Sequence, residues 1–311
     1  MTSPRPASHC RRDADACTLH ARRLNPAAAG RWFNERMNTL PPLFLSHGSP
    51  MTALEPREAG AFMQRLGPAI TAAFERPKAV LVISAHSLTR EPVLLAAPRH
   101  EAVYDFGGFD PKLNTLRYDA PGAPELATRV QALLRDAGLP VHRVDDGGLD
   151  HGIWTPLRYM FPAADIPVLP LAWPPNWTPA QLFALGQALA PLASEGVLII
   201  GSGSITHNLR RVFSGGRTNV DQPATPESTA FREWFAARSA AGDWDALLDY
   251  RAQTPFAALM HPSDEHLLPF YVAAGAGGRV PGARIHQSLT FGDLGMDAFA
   301  FGPGAAALAA V

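Results

Sequence analysis

The clearest indication of the fold is the run Ala79-Val-Leu-Val-Ile-Ser-Ala-His86. It is apolar along nearly its whole length and ends on a histidine, and an uninterrupted apolar run of this size is typical of a strand covered on both faces of a sheet. The pattern recurs at Leu43-Phe-Leu-Ser-His47 and in Val197–Gly201, which precedes His207. Because the carboxyl ends of parallel strands meet at one edge of a sheet, where open α/β sheets bind their ligands, we expect these histidines to share a site.

Strand and helix patterns alternate along the rest of the chain. Further strands are predicted at Pro92–Ala97, Ile166–Ala172 and Ala283–Leu289. Helical periodicity is clear in Glu125–Ala137, and the pairs Thr178-Pro179 and Thr225-Pro226 each combine an N-cap with a first-turn proline. The alternation predicts an α/β fold, with a single domain over residues 38–311 and a central, mainly parallel or mixed sheet flanked by helices.

The composition excludes several classes of protein. The 311 residues are 47% hydrophobic and 18% charged, which is the composition of a globular chain and neither of a disordered one nor of a coiled coil. Uninterrupted apolar runs have only strand length, so we expect no membrane partner and a cytoplasmic location. The net charge of −1 provides no general attraction to nucleic acid. We therefore expect a small-molecule partner.

The amino-terminal segment differs from the body of the chain. Residues 1–37 contain 7 Arg against 3 acidic residues, no strand-like run, and a second methionine at Met37. We expect this segment to be a disordered extension, or the product of a start codon assigned too early. Both cysteines, Cys10 and Cys17, lie in it. The body consequently has no thiolate with which to bind a metal.

Two more histidines lie in motifs of their own. His266 ends the run His261-Pro-Ser-Asp-Glu-His266 and is expected in the first turn of the helix that follows, while His151 lies in Leu149-Asp-His-Gly152, where glycine permits close approach to a ligand. Imidazole is a common metal ligand and the commonest proton carrier at neutral pH. Converging imidazoles without cysteine predict a catalytic metal site at the carboxyl ends of the strands. His261 either lines that site or closes the loop before Pro262.

Other motifs give little support to common enzyme classes. Gly201-Ser-Gly-Ser-Ile-Thr206 lacks the third glycine of a dinucleotide fingerprint, and the nucleophile-elbow pattern of serine hydrolases does not occur at Ser84 or Ser202. The stretch Tyr104-Asp-Phe-Gly-Gly-Phe109 is either an ordinary tight turn or an aromatic wall over a planar substrate.

Six segments in this order resemble a known family. They are Leu45-Ser-His-Gly-Ser-Pro50, Ser84-Ala-His86, Tyr104-Asp-Phe-Gly-Gly-Phe109, Leu149-Asp-His-Gly152, Thr206-His-Asn-Leu209 and His261-Pro-Ser-Asp-Glu-His-Leu-Leu-Pro269. The body is similar to the class III extradiol ring-cleavage dioxygenases, which are related to the catalytic subunit of protocatechuate 4,5-dioxygenase, and within them to the 4,5-DOPA dioxygenase extradiol group. The resemblance spans nearly all of residues 41–295 and leaves residues 1–37 outside.

The resemblance implies a role for each histidine of the motifs. It would place one divalent metal per chain on His47, His86 and His266, with His207 either as a fourth ligand or beside the metal as a base. His151 would contact the substrate and move protons. The protocatechuate relatives complete their metal site with a glutamate, whereas the aligned residue here is His266, next to Glu265. An all-histidine site suits Zn(II) as well as the Fe(II) that dioxygenase activity needs.

The implied reaction is the ring opening of a catechol such as DOPA by O2. We expect His207 to take the catechol proton and His151 to assist on the other side, while Phe106, Phe109 and Trp154 hold the ring. Two alternatives stay open: a zinc-dependent hydrolase on the same histidines, and a metal-binding interaction protein without catalysis. The sequence leaves open which catechol is cut, at which bond, and the oligomeric state.

Overall fold

The computed structural model describes residues 39–214, 219–254 and 256–311. The expectation for residues 1–37 lies outside them. Within the described ranges the strands, in chain order, are β1 (Leu43–Ser46), β2 (Ala79–Ser84), β3 (Val93–Leu95), β4 (Arg99–His100), β5 (Ala120–Pro121), β6 (His142–Val144), β7 (Val168–Ala172), β8 (Val197–Gly203), β9 (Ala283–His286), β10 (Leu289–Thr290), β11 (Leu294–Gly295) and β12 (Ala298–Ala300).

Helices of very different length connect these strands. The α-helices of the described residues are α1 (Arg57–Phe74), α2 (Pro124–Asp136), α3 (His151–Met160), α4 (Pro179–Leu189), α5 (Pro191–Ser194), α6 (Leu209–Ser214), α7 (Pro226–Ala241), α8 (Trp244–Leu248), α9 (Tyr250–Gln253), α10 (Ala257–Met260) and α11 (Pro269–Gly277). Short 3-10 helices cover Pro50–Ala53, Pro111–Thr115 and Ala305–Leu308. No helix among the described residues is both long and apolar enough to cross a membrane.

Eight strands form one mixed sheet. Its order is β6-β3-β7-β2-β8-β1-β12-β9, and the four central strands from β7 to β1 are parallel. Strand β12 pairs antiparallel with β1 and β9, and β3 pairs antiparallel with β7. The predicted fold class is therefore confirmed, and the parallel centre directs the carboxyl ends of β1, β2, β7 and β8 to the same edge.

Each face of the sheet has its own apolar layer. Alternate residues of the central strands point to opposite faces: Leu81 and Ile199 belong to the cluster formed with α2, α4, α7 and α11, while Val82 and Ile200 belong to the cluster formed with α1 and α3. Because both faces are covered, the strands read as continuous apolar runs, which explains why the sequence located them.

Helix starts follow the predicted caps. Thr178 accepts a hydrogen bond from the backbone N–H of Gln181 and completes a capping box at α4, and Thr225 accepts one from Ser228 at α7. The predicted strand Ala283–Leu289 is shorter than expected, because Leu289 leaves the main sheet and pairs with Gly295 in a small sheet of its own.

Candidate metal centre

The register of the central strands aligns three histidines at one edge of the sheet. Ser46 pairs with Gly203 across β1 and β8, and Ser84 pairs with Ser202 across β2 and β8. His47 follows β1 directly and His86 follows β2 by one residue, so both rings emerge at the same level. His207 comes four residues after β8.

Two more histidines reach the same place from helices and turns. His151 is the first residue of α3, where Asp150 is the N-cap. His266 lies in the turns before Pro269, where α11 begins, and therefore not in the first turn of that helix as expected. Its backbone passes close to β8: a Cβ on Gly203 would come within 2.0 Å of the His266 carbonyl oxygen, so only glycine fits there.

The five imidazoles form one cluster of buried and half-buried rings. The Nε2 atoms of His47 and His86 are 3.1 Å apart, and the ring centroids of His86 and His151 are separated by 4.1 Å. The His266 centroid is 5.0 Å from that of His86, and the His207 ring stacks on His266 with 3.5 Å between centroids. Two imidazole nitrogens that bind one ion at ~2.0–2.1 Å lie about 3 Å apart, which is the separation seen for the His47 and His86 pair.

Hydrogen bonds fix which nitrogen of His47 carries its proton. The Ser202 hydroxyl donates to the Gly152 carbonyl over 2.5 Å, so toward the Nδ1 atom of His47, 3.0 Å away, it accepts. The proton of the neutral ring is thus on Nδ1, and the lone pair is on Nε2, which faces His86. Such an outer hydrogen bond is the usual way in which proteins orient a metal-binding imidazole.

Burial keeps the rings of His47, His86, His207 and His266 uncharged. Desolvation is the first cause in every case, and the neighbouring histidines add to it: the pKa values of His47 and His266 fall well below the usual 6.5. The same two effects lower the pKa of His86 to about 4, and burial lowers the pKa of His207 to about 4 although Glu265 opposes the shift. Neutral imidazoles with free lone pairs are suitable ligands for Zn(II) or Fe(II), so the donor set fits a divalent metal.

Among the described residues, two groups of side chains have ligand atoms close enough to hold one ion. Each group brings its ligand atoms within 4.8 Å of one another; the first is His47, His86 and His151, and the second is His207, Glu265 and His266. All four predicted metal residues belong to these groups, two to each.

Three carboxylates near the cluster were given no role on the basis of the sequence. Asp105 lies 3.0 Å from the Nδ1 atom of His151, and Glu265 lies 3.1 Å from the Nδ1 atom of His266. Asp150 accepts hydrogen bonds from Ser84 and Ser87 at 2.7 and 2.6 Å. All three acidic residues lie inside the quoted motifs. The pairing of Asp105 with His151, and of Asp150 with Ser84 and Ser87, joins residues far apart along the chain and was not readable from the sequence.

Opposing effects act on the pKa values of Asp105 and Asp150. Burial raises the pKa of Asp150 in spite of the two serine donors. Burial also acts to raise the pKa of Asp105, but the hydrogen bonds and charge of His151 and the charge of His86 outweigh it and lower that pKa. Asp105 is therefore an ionised carboxylate beside the neutral rings.

The predicted aromatic wall is adjacent to His151. The Phe106 ring contacts the His151 ring edge-on, with 5.7 Å between centroids, and Phe109 and Trp154 flank Phe106 at 5.8 and 6.4 Å. Trp154 is fully buried and donates its indole N–H to the Val103 carbonyl, whereas Phe109 is 41% exposed. Phe106 and Phe109 thus lie between the cluster and solvent, with Trp154 behind them.

His261 occupies a different position from the other motif histidines. It is fully buried, and its Nε2–H donates to the Ile205 carbonyl over 2.9 Å. Burial lowers its pKa to about 3. In this position the ring ties its loop to the segment after β8, as in the second interpretation of the sequence, and it presents no surface to a substrate.

Comparison with known proteins agrees with this arrangement. The sequence pattern of the family described as the catalytic LigB subunit of aromatic ring-opening dioxygenase matches residues 41–301. The chain belongs to this family. The prediction of an extradiol ring-opening dioxygenase, a metal-dependent class of oxidoreductase, is thereby confirmed.

Individual relatives match most of the LigB-family chain. The 4,5-DOPA dioxygenase extradiol of Beta vulgaris is 39% identical over 261 residues, which are 83% of this chain and 95% of the relative. The 4,5-DOPA dioxygenase extradiol of Escherichia coli strain K12 is 35% identical over 264 residues, covering 83% and 93%. Among solved structures, an uncharacterized protein of Escherichia coli K12 superposes with a TM-score of 0.68 at 30% identity, covering 85% of this chain and all of the other.

Proposed function

We propose that this enzyme opens the ring of a catechol of the DOPA type. One catechol and one O2 are consumed, the carbon–carbon bond beside the diol breaks, and both oxygen atoms enter the product. The observation that carries the proposal is the close approach of His47 and His86, with ring nitrogens 3.1 Å apart, beside the Phe106 and His151 pair. An ion-binding edge and a flat aromatic surface are what a planar diol needs. The relatives named for DOPA support this substrate class.

The metal ligands of the proposal are His47, His86 and His266. These three rings are neutral by burial. The Nδ1 atoms of His47 and His266 have hydrogen-bond partners in Ser202 and Glu265, whereas the Nδ1 atom of His86 lies 3.7 Å from Asp105, beyond hydrogen-bond distance. An Fe(II) ion held by these residues would supply Lewis acidity toward a catechol and the electron transfer to O2 that redox-inert Zn(II) cannot.

His207 is proposed as the base that takes the catechol proton. Its ring is stacked on His266, so a diol at the ion-binding edge comes within its reach. Burial keeps the ring neutral and able to accept a proton. The carboxylate of Glu265, 3.9 Å from Nδ1, stabilises the imidazolium that results.

His151 is proposed to move a proton on the opposite side of the substrate. It lies between His86 and the Phe106 ring, so it faces a substrate held by the metal ligands and the aromatic wall together. Phe106 and Phe109 are proposed to cover the flat face of the catechol, with Trp154 holding Phe106 in place. A cytoplasmic location stays part of the proposal, to be checked by cell fractionation.

Paired metal loading tests the proposal. The metal-free full chain is loaded under argon with Fe(II) or with Zn(II), and O2 uptake and visible spectra are recorded with a panel of catechols that includes DOPA. The expected result is a yellow ring-opened product with one O2 consumed per catechol in the iron sample only. Absence of O2 uptake across the panel, with tight Zn(II) binding, would overturn the proposal in favour of the hydrolase.

A further inference from the structure

The Asp105 carboxylate makes three contacts with a single residue. Its Oδ1 atom accepts a hydrogen bond from the backbone N–H of His151 over 3.0 Å, and both carboxylate oxygens lie 3.0 Å from the His151 Nδ1 atom. A carboxylate that is ionised can only accept hydrogen bonds. Main chain and side chain of His151 therefore both donate to Asp105, and the His151 Nδ1 atom carries a proton.

The segment that carries Asp105 is anchored on its amino-terminal side. The Val103 backbone N–H donates to the Leu149 carbonyl over 2.7 Å, and the Val103 carbonyl accepts from the Trp154 indole over 3.1 Å. The Tyr104 hydroxyl donates to the Leu116 carbonyl over 2.6 Å. The two bonds of Val103 join the segment to α3 and to the loop ahead of it. They therefore fix the position of the Asp105 carboxylate relative to His151.

We infer that Asp105 is a positioning residue that holds His151 with its Nε2 lone pair free toward the substrate side of the histidine cluster. The inference rests on the proposed function of His151 in proton transfer. A ring whose Nδ1–H is committed to Asp105 has one nitrogen left for the reaction. His151 itself belongs to the group in which His47, His86 and His151 bring ligand atoms within 4.8 Å of one another.

The neighbouring acid Asp150 has a different place in the structure. Both of its oxygens are occupied by the Ser84 and Ser87 hydroxyls, and Ser84 Oγ in turn accepts from the backbone N–H of His86 over 3.2 Å. Asp150 thus orders the chain at the end of β2. Among the described residues, Asp105 is the acid that contacts the His151 ring.

The substitution Asp105→Asn tests the inference with almost no change of shape. The amide oxygen can keep the hydrogen bond from the His151 backbone, but the amide nitrogen then faces Nδ1 and donates to it. Because the remaining oxygen already accepts from the backbone N–H, we expect the ring to place its proton on Nε2, the atom needed for the reaction. This is the same chemical logic by which an Asp-to-Asn change disables the histidine of a serine-protease triad by selecting the wrong tautomer.

Two measurements on the full chain report the result. The first is the nitrogen-15 NMR spectrum of histidine-labelled protein loaded with diamagnetic Zn(II), in which the His151 signals are assigned by their loss in His151→Gln. We expect His151 to change from the Nδ1–H to the Nε2–H tautomer in Asp105→Asn. The second is steady-state kinetics with Fe(II), where we expect kcat to fall about 100-fold and KM to change less than about threefold.

Glu101→Gln is the matched control. It removes one negative charge from the same segment, at an exposed side chain four residues before Asp105. We expect it to leave both the His151 tautomer and kcat unchanged. Metal content, measured on every variant, should be equal in the wild type, Asp105→Asn and the control. If Asp105→Asn fails to fold, Asp105→Glu is used instead. Its longer side chain keeps a carboxylate that can accept from Nδ1, so we expect the wild-type tautomer of His151. We expect kcat to fall because the longer side chain displaces the ring.

The possible outcomes separate this inference from the proposed function. An unchanged tautomer in Asp105→Asn, or a changed tautomer with wild-type kcat, would overturn the positioning role. Loss of metal from Asp105→Asn would overturn the positioning role too, because the carboxylate would then support the metal ligand His86 instead of orienting His151. A changed tautomer in a chain that oxidises no catechol would refute the proposed function and with it the catalytic part of the inference.

Discussion

Two buried polar regions lie beside each other at the same edge of the sheet, and they differ in how their charges and lone pairs are satisfied. In one, Asp297 at the start of β12 accepts from Arg232 at 2.6 Å and from Arg284 at 3.4 Å, and Arg284 also binds Glu233. Each charge there has an opposite charge. In the other, the Nε2 atoms of the neutral His47 and His86 rings face each other at 3.1 Å with no charged group between them.

This difference in how charges are satisfied distinguishes a region that stabilises the fold from a region suited to binding a ligand. A buried ion-pair network that satisfies itself stabilises one arrangement of the chain and offers nothing to a ligand. A cluster of desolvated, uncharged imidazoles whose nitrogens lie close together is instead suited to bind a metal ion. We therefore expect substitutions in the first region to affect folding and substitutions in the second to affect metal binding and turnover.

The largest expected effect is on the metal ligands. His86→Ala removes one of the paired Nε2 atoms, and we expect it to abolish stoichiometric metal binding and to reduce turnover by at least about 1,000-fold. The melting temperature of the metal-free chain should change little, because the His86 side chain is partly exposed. Metal analysis and calorimetry measure both.

His142→Ala is the control for that substitution. His142 is an exposed histidine at the opposite border of the sheet, paired with Glu91. Its removal should leave metal content and turnover unchanged. If His86→Ala kept one metal per chain, the assignment of His86 as a ligand would be wrong.

A second large effect is expected for the proposed base. His207→Ala should retain the metal on His47, His86 and His266 while turnover falls by about 100- to 10,000-fold, because proton transfer from the catechol loses its acceptor. Stopped-flow kinetics and metal analysis on the same sample distinguish the two roles. Loss of the metal would make His207 a ligand.

Substitution in the ion-pair region of Asp297, Arg232, Arg284 and Glu233 should reduce stability and leave metal binding intact. Asp297→Ala leaves the Arg232 guanidinium buried without its carboxylate, and we expect the free energy of unfolding to fall by about 3–5 kcal/mol. Metal content at low temperature should be retained. Urea titration measures the stability. Asp245→Ala, at a solvent-exposed ion pair with Arg279, should cost less than about 1 kcal/mol.

A smaller effect is expected where a hydroxyl orients a ligand. Ser202→Ala removes the acceptor for the Nδ1–H of His47, and we expect metal affinity to fall about 10- to 100-fold. Competition with a fluorescent chelator measures the affinity, and Ser194→Ala on the surface is the control. Equal affinities in wild type and Ser202→Ala would show that packing alone orients His47.

The smallest effect concerns acid stability beside the ion-pair region. Burial is the main cause that lowers the pKa of His286 to about 4, and Arg65 and Arg232 add to the shift. In the unfolded chain the His286 pKa is near 6.5, so as the pH falls the unfolded chain binds the proton before the folded one does. Stability contributed by the neutral ring is present above pH 6.5 and is lost as the pH falls toward 4. We expect His286→Gln to flatten the stability curve in this window. An unchanged slope in urea titrations between pH 6.5 and 4 would contradict this.

The sequence predicted the layers of the fold because apolar runs such as Ala79–Ser84 are buried on both faces, and it predicted the shared edge because His47 and His86 follow parallel strands. The acids were missed because Asp105 meets His151 across 46 residues of chain, a contact that no periodicity encodes. His266 was misplaced by one turn, since the helix begins only at Pro269.

The proposed function requires that the histidine cluster hold one metal ion. Anomalous diffraction from crystals of the full chain grown with Zn(II) tests it directly. We predict one anomalous peak per chain, ~2.0–2.1 Å from ring nitrogens of His47, His86 and His266. A peak bound by His207 and Glu265 without His47, or no peak at the cluster, would contradict the claim.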